Sequence, residues 1–166
     1  MARTQRVLTE RQGRWLLNLY PPLLVQRIRI VEIAPGFTAC RVRVAKSVLT
    51  RNLFGTTFGG TIFAAADPIH AILYWQVFAR RGRSVQAWLK SARIEYRKPA
   101  ATALTLAFAL GERDIADAES ALDRDGSFVR TFRTEALDTQ GRVCAVVETE
   151  VYLRLPRGGQ REVSAF

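Results

Sequence analysis

The spacing of apolar and charged residues changes period several times along the chain, and each change marks an element. In residues 9–20 apolar positions recur at helical spacing, with Trp15, Leu16 and Leu19 on one face, which predicts a short amphipathic helix ended by Pro21-Pro22. Two segments then switch to a period of two. Residues 27–33 and 41–44 alternate charged with β-branched residues, as in Arg41-Val42-Arg43-Val44, so each predicts a strand with one wet and one buried face. Pro35-Gly36 between them predicts a hairpin turn.

Residues 57–79 carry neither pattern. Fifteen of these 23 residues are apolar, they lie all around a helical wheel, and Asp67 is the only charge. A helix without a polar face must be enclosed on most sides. Its length would also suit a membrane span, but Asp67, Pro68 and His70 interrupt it and half-buried strands flank it, so a core helix is expected and no membrane. Pro68 lacks an N–H and frees the Ala64 carbonyl, which predicts a kink. Arg80, Arg81 and Arg83 follow, where cations complement the helix dipole.

Residues 85–98 form a long strand pattern ending at Pro99. Its apolar phase runs Val85, Ala87, Leu89 and then Ala92, Ile94, Tyr96, a slip that predicts a bulge near Lys90-Ser91. A strand at 102–110 follows, then a helix at 114–124 with Asp114 as N-cap, Ile115, Ala118 and Leu122 on one face, and Gly126 just beyond. The chain closes with a hairpin, 128–137 against 143–153, turned at 138–141. The expected fold is α+β, one long helix against one face of a large antiparallel sheet. Residues 1–22 read as a helix and linker, 23–155 as a single domain, and 156–166 as a loose tail. Periodicity does not order the strands.

Composition narrows the function classes. The 166 residues carry a net charge of +10, with 22 of the 25 basic residues arginine; residues 1–100 hold an excess of 13 positive charges and 101–166 an excess of 3 negative ones. Such a field favours anionic partners. No recognition motif accompanies it, and the aromatics do not alternate with basic residues, so nucleic acid is not the expected partner; a phosphorylated small molecule and a merely solvated surface fit equally well. Cys40 and Cys144 lie in strand patterns without metal-ligand spacing and read as buried small hydrophobes. With one histidine and no thiol cluster, neither a metal site nor a cofactor is expected. The N-terminus lacks the apolar core of a signal peptide, which points to a cytoplasmic protein.

The chemistry concentrates around the long helix. Gly59-Gly60 at its start leaves backbone N–H groups sterically open to a carbonyl oxygen or a phosphate, the arrangement of an oxyanion hole, although a glycine pair can equally serve close packing. Asp67, among alanines, must be paired, solvent-reached or protonated. It reads either as a general base or nucleophile, or as a cap for the kink at Pro68. Asn52 either positions water or the helix start, or serves a turn. His70, one turn beyond Asp67, either bonds it or packs in the core. Arg97 and Lys98 either meet phosphates or are solvated.

The run Asn52-Leu53-Phe54-Gly55-Thr56-Thr57-Phe58-Gly59-Gly60, with Asp67 seven residues on, resembles the hotdog-fold superfamily and within it acyl-CoA thioesterases of the phenylacetyl-CoA thioesterase type. Ile94-Glu95-Tyr96-Arg97-Lys98-Pro99 and the turn at 138–141 resemble further strand ends of that family. The resemblance implies a curved sheet wrapped around the central helix, a homodimer or dimer of dimers, and an acyl-CoA substrate. The residues themselves supply the candidate site, with Asp67, Asn52 and Gly60 as catalytic and Phe58, Gly59, His70, Arg97 and Lys98 as substrate-binding groups. Phe58 stands where the family has a histidine. Two other readings stay open: a non-catalytic acyl-ligand-binding or regulatory module, consistent with Phe58, and a hotdog hydratase or dehydratase, echoed by Asp67-Pro68-Ile69-His70 but lacking an aspartate at position 65, which is alanine.

Overall fold

A computed structural model describes residues 6–156 of the chain. Helix α1 (Glu10–Leu19) starts at a capping box, in which Thr9 and Gln12 satisfy each other's backbone N–H groups. Pro21 does not lead into a linker. It opens a second short helix, α2 (Pro21–Val25), because proline suits the first helical position, where no N–H bond is needed. Strands β1 (Ile28–Ile33) and β2 (Ala39–Val44) follow, joined by a 3-10 turn (Pro35–Phe37) with Gly36 and Phe37 at positive φ.

The long apolar segment forms α3 (Gly59–Ala66) and α4 (Ile69–Arg80), broken at Asp67-Pro68 as the proline requires. Then come β3 (Gln86–Tyr96), β4 (Leu104–Ala109), α5 (Glu112–Asp125), β5 (Ser127–Leu137) and β6 (Val143–Arg154). Helix α5 begins earlier than its sequence suggests. Gly111 is the N-cap, and Asp114 sits one turn in, accepting the Gly111 N–H at 2.8 Å. Gly126 closes the helix at φ 70°, a conformation that favours glycine.

The strands form one antiparallel sheet in the order β1-β2-β4-β5-β6-β3, and its buried face carries α3 and α4. Ile62, Ala65, Ile69, Leu73, Tyr74, Val77 and Phe78 interlock with Val42, Leu104, Leu106, Phe108, Val147 and Val151. Each fully buried Val, Leu, Ile or Phe among them contributes roughly 1.5–3 kcal/mol. Enclosure explains why α4 has no polar face. The polar residues it buries are partnered: Gln76 receives the Leu8 N–H at 2.8 Å and donates to the Arg6 carbonyl at 3.1 Å, tying the N-terminal segment to the core. The Gly59–Arg80 stretch is long and apolar enough to cross a membrane, yet 67% of its most apolar window is buried within this fold.

The two sheet edges differ. Along β1, Asn18 of α1 donates to the Ile30 carbonyl and accepts the Ile30 N–H, and Arg14 reaches the Val31 carbonyl, so α1 covers that edge. This docking turns α1 away from the face its periodicity suggests: Gly13 and Leu17 are buried, whereas Trp15 and Leu19 are 57% and 59% exposed. At the opposite edge no described strand pairs with the outer side of β3. Its register slips between Leu89 and Ser91, so Ala87 and Leu89 before the bulge and Ala92, Ile94 and Tyr96 after it share the helix-facing side. Cys40 and Cys144 are buried free thiols. The tail from 157 onward lies outside the described residues.

Candidate functional site

A cleft of about 1320 Å³ opens at the N-terminal end of α3, between the loop that leads into the helix and the end of β3. The loop is built by Asn52. Its Oδ1 accepts the Phe54 and Thr56 N–H groups and its Nδ2 donates to Thr56 Oγ1 at 2.9 Å. Both ends of the Asn52 amide are thus engaged in holding the loop. The Phe58 N–H to the Thr50 carbonyl (2.7 Å) and the Thr57 N–H to the Ala100 carbonyl (2.9 Å) then fix the loop's approach to α3.

At the helix start, Phe58 supplies no side-chain cap, and among the described residues neither the Gly59 nor the Gly60 N–H has a partner. Gly59 lines the cleft and Gly60 is exposed next to it, so helix-start donors are open to a ligand there. Each glycine also lies in close contact with an aromatic ring that is more than half exposed. A methyl group on Gly59 would strike the Tyr96 hydroxyl and ring, and one on Gly60 would strike the Phe58 ring. The close-packing and open-donor readings of this glycine pair therefore hold together.

The rim combines cations with apolar surface. Arg51, Arg97 and Lys98 line the cleft beside Leu53, Phe54, Phe58, Ile62 and Tyr96. Arg97 is held by Glu95 at 2.7 Å and is half exposed. Leu53 and Phe54 project almost wholly into solvent, at 102% and 91% exposure. Arg51 and Tyr96 escaped the sequence reading. Tyr96 registered as an apolar strand position and as part of a family-like strand end, not as a site residue, and Arg51 as one of many dispersed arginines.

Asp67 stands apart from this cleft in a single chain. It lies at the break between α3 and α4, about 10 Å along the helix axis from Gly60 at the usual rise. Its side chain caps nothing: α4 has no side-chain cap, and no ion pair or hydrogen bond reaches the carboxylate among the described residues. The residue is exposed, yet partial burial of the carboxyl raises its pKa above the usual carboxylate value. His70 points elsewhere. It is 3% exposed, stacked on Phe132 at 3.9 Å and edge-on to Phe108, with Thr149 Oγ1 at 3.5 Å from Nδ1. Burial pushes its pKa down to about 4, so it is neutral at physiological pH. Among the described residues no three of histidine, cysteine, aspartate and glutamate gather as a metal site.

A family model described as a domain of unknown function, DUF4442, matches residues 9–153. The chain belongs to this family. Three solved structures share the fold of the DUF4442 chain. A Pseudomonas aeruginosa protein of unknown function, described as a probable thioesterase, superposes with a TM-score of 0.79 at 20% identity, covering 89% of this chain and 97% of that one. A Haemophilus influenzae thioesterase gives 0.68 at 12% identity, with coverage of 93% and 97%. The E. coli PaaI protein from the phenylacetic acid degradation operon gives 0.61 at 14% identity, with coverage of 88% and 92%. No curated protein matches the DUF4442 chain. The α+β architecture expected from the sequence, a curved antiparallel sheet on a central helix, is thus the hotdog fold.

Proposed function

We propose that this DUF4442 protein hydrolyses an acyl-CoA or a related acyl thioester, acts in the cytoplasm, and does so as a homodimer. The observation that carries the reading is the cleft at α3, where the unpartnered Gly59 N–H, with that of Gly60 next to it in the chain, meets an apolar wall and a rim of three cations. Open N–H donors suit the oxygen of a thioester, where negative charge develops as the carbonyl is attacked. The apolar wall suits an acyl chain, and Arg51, Arg97 and Lys98 suit the phosphates of coenzyme A. Asp67, with no partner of its own, is the candidate general base or nucleophile.

One chain does not bring these parts together, because a reacting carbonyl must lie roughly 3 Å from both its donors and its attacking group. Two copies joined antiparallel would set the glycine pair of one opposite Asp67 of the other. The open β3 edge supports this arrangement. Ala87, Leu89, Ala92 and Ile94 on its inner face are only half-buried, whereas Ala145, Val147, Thr149 and Val151 on neighbouring β6 are buried. A strand added along β3 would complete both the ladder and the core.

The test is hydrolysis of an acyl-CoA panel, followed by release of free thiol, with sedimentation of the same sample. Thiol release by a dimer is the expected result; an active, monodisperse monomer would refute the shared site. Tight acyl-CoA binding without turnover would favour the non-catalytic module instead. That second reading is supported by the Phe58 ring, which lies against Gly60 where the resemblance calls for a histidine. A hydratase has less support, since His70 is stacked in the core.

A further inference from the structure

We propose that the hydroxyl of Tyr96 is a substrate-binding group of the cleft, donating a hydrogen bond to the carbonyl oxygen of the bound acyl thioester. This deepens the thioesterase reading and rests on it.

The bulge in β3 puts Tyr96 where it is. Without the slip between Leu89 and Ser91, strict alternation from Ala87 and Leu89 would turn residue 96 to the outer face of the sheet. With it, the ring faces inward at the end of the strand and its hydroxyl comes to rest against Gly59, in the one space that a side chain at position 59 would occupy. The structure thus keeps a glycine at the helix start and a phenol against it, and both line the cleft.

The other neutral polar side chains of the lining already have partners. Asn52 is bound at both ends of its amide, Thr56 Oγ1 receives Asn52 Nδ2, and Thr57 Oγ1 donates to the Ala100 carbonyl at 3.2 Å. Tyr96, 55% exposed, has no hydrogen bond at its hydroxyl among the described residues. Burial raises its pKa, so the group remains a protonated donor at neutral pH.

Chemistry then divides the labour within the cleft. The cations of the rim match phosphate charge. A neutral phenol matches a neutral carbonyl oxygen, and its hydrogen bond strengthens as that oxygen becomes an oxyanion. Tyr96 keeps its proton throughout and forms no covalent bond. Beside the Gly59 and Gly60 N–H groups, it adds a side-chain donor in the region where Phe58 offers none.

Tyr96→Phe tests this, since it keeps the ring against Gly59 and removes only the hydroxyl; equal thermal unfolding of the two proteins confirms that packing survives. Calorimetric titration would use paired coenzyme A analogues with short, medium and aromatic acyl chains. One of each pair is a ketone with a methylene in place of the thioester sulfur, and the other is a thioether without the carbonyl. The expected result is a loss of about threefold to tenfold in affinity for the ketones and none for the thioethers. With a thioester that turns over, kcat/KM should fall by roughly 10²–10³. Unchanged ketone affinity, or equal losses for both analogues, would overturn the role of Tyr96 while leaving the thioesterase reading standing. Failure of every analogue to bind the unmodified protein would instead overturn the thioesterase reading, and this inference with it.

Discussion

Replacing Asp67 by asparagine isolates charge from shape at the one carboxylate of the α3–α4 segment. The side chain has no hydrogen bond or ion pair to lose among the described residues, and it caps neither α3 nor α4. Folding should therefore survive, and stability at neutral pH should rise slightly. The sign follows from its raised pKa: the folded state favours the protonated acid, so the carboxyl's favourable contribution is full below the unfolded pKa of about 4 and is lost as pH rises through the higher folded value. The small advantage of the asparagine variant should accordingly vanish on acidification. Catalysis should move the other way. Loss of a general base lowers the rate about 10²–10⁴-fold, equivalent to roughly 3–5 kcal/mol of barrier. In the unmodified enzyme kcat/KM should rise with pH through a midpoint above that of a free aspartate, because the carboxylate form is the active one. The assay is thiol release from acyl-CoA esters across pH for both proteins, with thermal unfolding in parallel. A folded variant with unchanged kcat/KM would remove Asp67 from the mechanism and leave the binding module ahead.

Other substitutions test other parts of the structure. Leu53→Asp with Phe54→Asp, at two wholly exposed positions that line the cleft, should leave the melting temperature nearly unchanged while lowering kcat/KM for acyl thioesters; an unchanged kcat/KM would count against the cleft as the acyl site. His70, neutral in the core with a pKa near 4 against about 6.5 when unfolded, should make stability fall by up to roughly 3 kcal/mol as pH drops from 6.5 to 4. Its contribution is complete above pH 6.5, and His70→Phe should flatten denaturant midpoints over that window. Gly13→Ala would place a methyl 2.7 Å from Cζ of the fully buried Phe37, so overpacking of about 1–3 kcal/mol should outweigh the gain in helix propensity and lower the denaturation midpoint.

Much of this molecule is local. The period-two patterns of β1 and β2, the slip in β3, the kink at Pro68 and the Gly126 cap all follow from backbone sterics and from which neighbours a residue has in sequence. The unbroken apolar circumference of α4 likewise required enclosure, whatever enclosed it, because no polar face was available to meet water. The Asn–Gly-Gly–Asp spacing was visible for the same reason, being confined to one loop and one helix. What depended on distant neighbours stayed hidden. The amphipathic pattern of α1 named Trp15 and Leu19, but the buried face was chosen by Asn18 bonding the β1 edge and by Gly13 meeting Phe37, contacts 12 and 24 residues away in sequence. Asp114 had the chemistry of an N-cap and took the position one turn later, since the chain's path from β4 fixed where α5 could begin. Asn52 had the chemistry to hold water and closed its own loop instead. Tyr96 and Gly59, 37 residues apart in sequence, meet only because a bulged strand brings its last inward residue onto the start of a helix. Sequence patterns report which face of an element is apolar; which element it meets, and which polar atoms remain without partners, are settled by the packing of the whole sheet.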